Sequence, residues 1–454
     1  MKIARFAAVG LHGHLNIEFC LFPDITFLTG INGSGKTASI YSIVSLLTPS
    51  LEILSETTFD SVEIDVEYGD EKITIRAQRE GTDTILTASN APGAFRFAAY
   101  DPDPDLSLHR QTELRTAHYA ELVQVSSESP VIKAISSLPS PMFLGIDRRA
   151  RLSDDPVRNH LYLPPSARRR VRNPFNTFNA ASINYAVYLA ETSQRDSLIS
   201  IGQEAAETRQ QIVLELLRVS VTSLGELTPP STQEKKEITR LRSDMPAFAR
   251  ALDLPESTIE NTISPFLKAL EKFVGSAPEA SRHKKGQPFG SPEQVNALIN
   301  WSLNKSQFDK IKAISEIIDK FSVRRAEAME VSDRYLGLLN NFIANSLKSI
   351  IFTDRGYLSL LIDGVVEPQP LTSLSSGESQ IFVILSHLMF NPSAQSDNIF
   401  IIDEPELSLH IRWQELFVDS VYQANPDIQY IFATHSPSII LGRREHCVHV
   451  ESTR

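Results

Sequence analysis

Residues 25–37 have the sequence ITFLTGINGSGKT. The first five, Ile25–Thr29, form a compact β-prone run, and Gly30–Thr37 then fits the pattern G-x-x-x-x-G-K-[ST]. A helix-like segment follows at 38–47. The glycines let the backbone wrap closely around a phosphate, and the helix N-terminus behind the loop adds positive potential. The sequence therefore predicts a strand, a phosphate-binding loop and a helix in direct succession.

Residues of this loop, together with Ala38 at the start of the helix, are the candidate contacts to ATP. Lys36 would reach the β- and γ-phosphates, and the Thr37 hydroxyl would bind Mg²⁺. The other candidates surround the phosphates: Gly30, Asn32, Gly33, Ser34, Gly35 and Ala38.

An acidic pair follows a second apolar run. Residues 398–402 have the sequence NIFII, as expected of a strand buried on both faces, and Asp403 and Glu404 come next. Beside a phosphate-binding loop, Asp403 would hold Mg²⁺, directly or through water, and Glu404 would orient and deprotonate the attacking water. A helix N-cap ahead of Pro405 is the alternative, and the phosphate-binding loop favours the catalytic interpretation.

Two further motifs accompany these in order. LSSGE at 374–378 precedes a helix-like apolar run, and ATHSP at 433–437 follows a strand. Taken singly, the first is typical of a helix cap and the second of a histidine packed in a core. Together with the acidic pair, which begins the stretch DEPELSLH at 403–410, the motifs resemble the ABC-type ATPases of the RecF, Rad50 and OLD group. Within that group they are most similar to ATPases of bacterial antiphage systems, in particular the Septu ATPase family, PtuA.

The resemblance assigns roles to both motifs. It implies that the signature residues bind the γ-phosphate of a nucleotide held by the facing subunit: Ser375, Ser376, Gly377 and Glu378. It also implies that His435 contacts the γ-phosphate and helps to position water. Three features depart from the pattern of ABC transporters: no glutamine occurs at the Q-loop position, 146–149, His410 replaces the D-loop aspartate, and no adenine-stacking aromatic is evident near the N-terminus.

The predicted fold class is α/β, an ABC-type head of mixed sheet with helices on both faces and an antiparallel β subdomain. Residues 1–147 would form lobe I with the phosphate-binding loop, and 346–454 lobe II with the signature, the acidic pair and His435. Helical periodicity dominates 148–345, for example at Ile311, Ile314 and Ile318, so this region is predicted to be a helical insertion. A projecting antiparallel arm is the favoured form, and a bundle packed on the sheet is the alternative.

Composition limits the class of protein. The chain has 454 residues, 42% of them hydrophobic, and a formal net charge of −11, so it does not coat nucleic acid by bulk charge. Eight arginines at 148–172 form a local basic cluster that either contacts DNA or pairs with acidic neighbours. Cys20 and Cys447 make no disulfide framework or zinc site, and no apolar run is long enough for a membrane span. We expect a cytoplasmic protein.

The resemblance implies an ATP-gated switch. Two protomers would sandwich ATP, forming a homo-oligomer that hydrolyses ATP slowly and regulates a separate nuclease, of the HNH class or, alternatively, a Toprim effector. We expect no nuclease in this polypeptide: 19 residues follow His435, where OLD nucleases continue into a Toprim domain, and the insertion holds His160 and His283 without cysteine.

Two other classes of ATPase share these motifs. A RecF- or SMC-like DNA-repair ATPase that binds DNA through the arginine cluster is the alternative. A transporter subunit is disfavoured, because the interval from Ile146 to Leu374 far exceeds its small helical subdomain.

Overall fold

The computed structural model describes residues 1–101, 103–144, 180–220, 229–251, 255–277, 291–391, 398–407 and 409–452. The chain divides into two compact units. The first unit comprises Met1–Ser193 and Arg334–Arg454, and the second comprises Gln194–Asp333. The arginine cluster at 148–172, the Q-loop position and Ser408 lie outside the described residues.

The secondary structure follows the order strands, helices, strands. The N-terminal elements are β1 (Lys2–Leu11), β2 (Leu15–Cys20), β3 (Ile25–Thr29), α1 (Lys36–Leu47), α2 (Leu51–Glu56), β4 (Ser61–Tyr68), β5 (Glu71–Glu80), β6 (Asp83–Ala88), β7 (Phe95–Ala98), α3 (Leu108–Ser126), α4 (Pro130–Ser137) and β8 (Met142–Leu144). The central elements are α5 (Ala180–Ser220), α6 (Thr232–Ala251), α7 (Glu256–Thr262), α8 (Ser264–Ser276) and α9 (Pro292–Ile343). The C-terminal elements are β9 (Lys348–Phe352), β10 (Leu358–Ile362), α10 (Ser376–Phe390), β11 (Ile399–Asp403), α11 (Ile411–Ala424), β12 (Gln429–Ala433), α12 (Pro437–Ile440) and β13 (Cys447–His449).

A five-stranded sheet, with strands in the order β13-β3-β12-β11-β8, positions the site. Its described pairings are all parallel. Because β3, β12 and β11 are neighbours, their carboxyl ends lie side by side at one edge. The segments that follow these three strands are the phosphate-binding loop, the histidine motif and the acidic pair.

The two faces of this sheet pack against different layers. Leu28, Ile401 and Ile431 belong to a core shared with α1 and the antiparallel strands. Phe27 and Phe432 belong to a second core shared with α10 and α11. Successive strand residues point to opposite faces, so the apolar run in β11 is buried on both sides. Helices on both faces are therefore confirmed.

The other β structure is antiparallel. Six strands pair in the order β2-β1-β4-β5-β6-β7, and β9 pairs with β10 in a separate hairpin. In β4 every second residue is buried, the pattern of a strand with one face toward a core. The antiparallel subdomain is thus confirmed, and the β structure as a whole is mixed.

The second unit consists of helices in its described part. Helices α6, α8 and α9 share a hydrophobic core that includes Leu241, Leu270 and the fully buried Trp301. The first turns of α5 and the end of α9 pack in the first unit, for example through Ala190 and Tyr335. None of the described helices is long and apolar enough to cross a lipid bilayer.

Candidate functional site

The phosphate-binding loop leaves β3 with the backbone that its glycines require. Gly30, Gly33 and Gly35 have φ angles of 150°, 83° and 95°. Gly35 also caps α1, and a Cβ placed on it would lie 2.5 Å from Ile17 Cδ1 of β2. A side chain at position 35 is therefore opposed both by the left-handed backbone and by the packing of the loop on β2.

Lys36 is folded into the loop. Its Nζ donates hydrogen bonds to the carbonyl oxygens of Gly30, at 3.0 Å, and Ile31, at 3.3 Å. Burial lowers the pKa of Lys36, and the nearby carboxylates, Glu404 foremost, oppose this shift. The hydroxyl of Ser34 is buried with no hydrogen-bond partner among the described residues. A cation and an unused donor in one narrow loop suit an anionic ligand.

The acidic pair ends β11 beside the loop. Asp403 is the last residue of the strand and is fully buried. Glu404 has a left-handed backbone, with φ 52°, and its N–H donates to Ala433 O at 2.8 Å. Burial, together with a hydrogen bond to Glu406 and the charges of Glu406 and Asp403, raises the pKa of Glu404 to about 7. A carboxylate with such a pKa is suited to accept a proton near neutral pH.

His435 lies next to Glu404. The pairing of Asp403 with Ala433 brings the two strand ends level, and His435 Nε2 lies 3.6 Å from Glu404 Oε1. The structure thus brings the predicted base and the predicted switch histidine together. The left-handed φ of Glu404, uncommon outside glycine, is a local strain of the kind found at functional sites.

Glu406 was not among the predicted site residues, yet it organises the histidine segment. Its Oε2 accepts a hydrogen bond from Thr434 Oγ1 at 2.8 Å. Its Oε1 accepts from the backbone N–H groups of His435, at 2.9 Å, and Ser436, at 3.0 Å. Its place two residues beyond Glu404 is the sequence signal that could have suggested it.

A cavity of about 470 Å³ lies at this edge of the sheet. Predicted site residues line one part of it: Asn32, Gly33, Gly35, Lys36, Thr37, Ala38, Glu404 and His435. Four residues that the sequence did not indicate line the rest: His12, Tyr41, Ile53 and Thr57. No local motif identifies these four. Tyr41 lies one turn beyond Thr37 on α1, and the tertiary fold brings His12, Ile53 and Thr57 to the same cavity.

The signature residues do not line this cavity. Ser375 caps α10 by accepting a hydrogen bond from the Glu378 N–H at 3.4 Å, and Glu378 Oε2 accepts one from the Ser375 N–H at 2.7 Å. Glu378 Oε2 also lies 2.8 Å from Lys348 Nζ of β9. Burial acts to raise the pKa of Glu378, but the hydrogen bonds from Lys348 and Ser375 outweigh it, and the pKa is lowered. The helix cap of which this motif is typical is therefore present, in the form of a capping box.

The donors available for a metal suit Mg²⁺. Thr37, at the start of α1, and the fully buried Asp403 supply a hydroxyl and a carboxylate. Among the described residues no group of three or more His, Cys, Asp or Glu side chains could form a complete metal site. Mg²⁺ is commonly held by one or two protein oxygens with phosphates and water, and this sparse donor set fits that mode.

Comparison of the sequence with known proteins gives partial matches. Residues 249–441, less than half of the chain, match a family described as "AAA domain, putative AbiEii toxin, Type IV TA system". The chain is 23% identical over 168 residues to the "Retron Vc95 probable ATPase" of Vibrio cholerae serotype O1 biovar El Tor, which covers 33% of this chain. It is 24% identical over 224 residues to the "Retron Ec83 probable ATPase" of Escherichia coli, which covers 47% of this chain. These matches span 31% and 35% of the two relatives' own lengths.

Solved structures give a wider but weaker similarity. An Smc head domain with an extended coiled coil, bound to the C-terminal domain of ScpA and derived from Pyrococcus furiosus, covers 97% of this chain and 91% of its own, with TM-score 0.36 and 11% identity. An Smc head domain with a coiled coil and joint from Pyrococcus yayanosii covers 97% and 93%, with TM-score 0.34 and 13% identity. The part of the chain that matches the AAA domain includes the signature, the acidic pair and His435.

Proposed function

We propose that the protein binds ATP with Mg²⁺ and hydrolyses it slowly, and that its ATP-dependent assembly regulates a separate nuclease in antiphage defence. The observation that carries the ATPase part is the convergence of Lys36, Glu404 and His435 on one cavity of about 470 Å³. A cation inside a glycine loop and a carboxyl beside a histidine are the parts that phosphoryl transfer to water needs.

Each group has a distinct role in this proposal. Lys36 and the backbone N–H groups of the loop bind the phosphate chain. Thr37 and Asp403 would hold Mg²⁺, which neutralises phosphate charge when bound. Glu404 orients the attacking water and takes its proton, and His435, 3.6 Å away, contacts the terminal phosphate.

The signature would act in trans. Ser375, Ser376, Gly377 and Glu378 lie away from the cavity lining of their own chain, and Ser375 begins α10, whose N-terminus carries positive potential. An anion presented by a second copy would be bound there. ATP binding would then promote association of the subunits, because each site is complete only in the homo-oligomer.

The defence role rests on similarity. The similarity to retron ATPases supports an ATPase. The resemblance to Septu ATPases implies a separate effector, an HNH nuclease or, alternatively, a Toprim protein. Contact with DNA through 148–172 would favour the alternative, a DNA-repair ATPase, and these residues lie outside the described range.

The test is recovery of the tagged chain from cells carrying its native operon, with ATP and Mg²⁺, followed by mass spectrometry and a DNA-cleavage assay. The matched control is the Lys36→Ala variant. We expect a co-purifying nuclease whose cleavage depends on Lys36. Recovery of this chain alone, with DNA stimulating ATP hydrolysis, would replace this proposal with a DNA-repair ATPase.

A further inference from the structure

We propose that Glu406 is a positioning residue, whose carboxylate fixes the segment 434–436 so that His435 lies against Glu404. The kinetic test of this inference rests on the proposed ATPase function, whereas its geometric basis is a set of hydrogen bonds within the chain. One carboxylate receives hydrogen bonds from three successive residues: Thr434 through its hydroxyl, and His435 and Ser436 through their backbone N–H groups.

These contacts form where β12 ends and its ladder stops. Ala433 is the last residue of the strand, so the N–H groups of His435 and Ser436 have no neighbouring strand to bond. The carboxyl of Glu406 supplies the missing acceptor for both N–H groups. Ser436 N–H also donates to Thr434 Oγ1 at 3.0 Å, which closes the turn on itself.

The same network holds the segment that follows β11. Ser436 Oγ donates to Gln414 Oε1 at 2.7 Å, and Gln414 Nε2 donates to Leu409 O at 3.0 Å. Glu406 and Leu409 lie between β11 and α11, so the segments after two neighbouring strands are tied together. The separation of 3.6 Å between His435 Nε2 and Glu404 Oε1 is set across this joint.

Direct contact between Glu406 and a nucleotide is the competing role, and the geometry disfavours it. Both carboxylate oxygens are engaged by 434–436, and Glu406 does not line the cavity. Glu406 also shares a hydrogen bond with Glu404, so its influence on ATP passes either through His435, as proposed, or directly through Glu404. Displacing a catalytic group by about 1 Å can cost about 100-fold in rate, so a purely geometric role is large enough to measure.

The experiment measures ATP affinity, kcat and KM for Glu406→Ala, Glu406→Gln, His435→Ala and the double variant Glu406→Ala/His435→Ala. Glu415→Ala, an exposed glutamate on α11, is the control. For Glu406→Ala we expect kcat to fall about 100-fold, with ATP affinity within about threefold of wild type. Glu406→Gln should recover part of the rate, because its amide oxygen can still accept the two N–H groups.

The double variant tests whether the effect passes through His435. Its kcat should be no lower than that of His435→Ala alone, since residues that act as a unit are non-additive. Multiplying losses, or a Glu406→Ala variant within twofold of wild type, would overturn the proposal.

A second measurement is independent of catalysis. In the absence of nucleotide, the amides of His435 and Ser436 should exchange hydrogen faster in Glu406→Ala than in wild type, while the amides of β12 in the same variant should not. In Glu415→Ala all of these amides should exchange at wild-type rates. Unchanged exchange there would overturn the positioning role. If wild type hydrolysed ATP no faster than Lys36→Ala, the proposed ATPase function would be disproved. The hydrogen-exchange result would still test the positioning role of Glu406, because it does not depend on catalysis.

Discussion

Two regions of the first unit that are proposed to bind anions are built in opposite ways. At the edge of the parallel sheet, Lys36, Glu404 and His435 face one cavity, with strained backbone and a pKa of about 7 at Glu404. At the N-terminus of α10, Ser375 and Glu378 bond each other in a capping box, and Lys348 neutralises the carboxylate. The first region holds reactive groups ready for a ligand, whereas in the second the polar side chains are used to stabilise the helix end.

This difference bears on what each region can do alone. The sheet edge has the groups for binding and for proton transfer within one chain. In the proposal, the α10 terminus would bind an anion that approaches from outside through the positive end of the helix dipole. Substitutions should therefore affect binding and hydrolysis at the first region, and assembly or stability at the second.

The largest effect is expected for Lys36→Ala. Removing the ammonium takes away a charge-assisted contact worth about 3 kcal/mol, so ATP affinity should fall by at least about 100-fold. Fluorescence titration with an ATP analogue measures this. Lys133→Ala, an exposed lysine paired with Glu128 at the surface, should bind as wild type. Equal affinity of the two variants would remove Lys36 from the phosphate site.

Glu404→Gln should separate binding from hydrolysis. Loss of a general base lowers the rate by about 100-fold to 10,000-fold, and an isosteric amide leaves the cavity its shape. We expect ATP affinity to be retained and an ATP-bound assembly to accumulate, seen by light scattering after size-exclusion chromatography. Glu367→Gln, at an exposed position, is the control. Hydrolysis at the wild-type rate would show that another group takes the proton.

Local sequence predicted the parts of the site that depend on consecutive residues. The loop at 30–37 follows a strand and precedes a helix, and its glycines, lysine and threonine together match the motif of a phosphate-binding loop. The acidic pair and His435 could be predicted because each follows an apolar run that forms a buried strand. That these residues lie next to each other depends on the order of the strands in the sheet, which no single motif predicts.

Other features depend on partners far along the chain. The sequence around Lys348 does not predict its ion pair with Glu378, and the sequence around His12 does not predict that its turn lines the cavity. The sequence indicates Glu406 only as part of a motif, because its carboxyl contacts residues 28 to 30 positions later. The contacts of the Glu378 side chain are those of a helix cap, because it accepts a hydrogen bond from the Ser375 N–H.

Ser375→Arg probes the α10 terminus from outside. The bulk and charge should block ATP-dependent association while ATP affinity of the monomer is unchanged, because Ser375 does not line its own cavity. The substitution also removes a helix cap, which costs about 1 kcal/mol. Ser375→Thr keeps the cap and is the control, which should associate as wild type. If Ser375→Arg instead lost ATP binding as an isolated monomer, the signature would act in cis.

The smallest effect is expected from Lys348→Met, which tests whether the pair with Glu378 stabilises the fold. It leaves a buried carboxylate without its cation, so the free energy of unfolding at pH 7 should fall by about 2 kcal/mol in urea denaturation. Lys72→Met removes an exposed pair with Glu67 and should cost at most about 0.5 kcal/mol.

The dependence on pH identifies the source of that loss. The pKa of Glu378 is lowered in the folded protein, so its contribution is complete above the ordinary value of 4.5 and disappears as the pH falls through the folded pKa. The difference in unfolding free energy between wild type and Lys348→Met should therefore be constant from pH 8 to about 5 and shrink under more acidic conditions. A difference that persists unchanged when Glu378 is protonated would mean that the lysine stabilises β9 by packing its alkyl chain, and not by holding the signature glutamate.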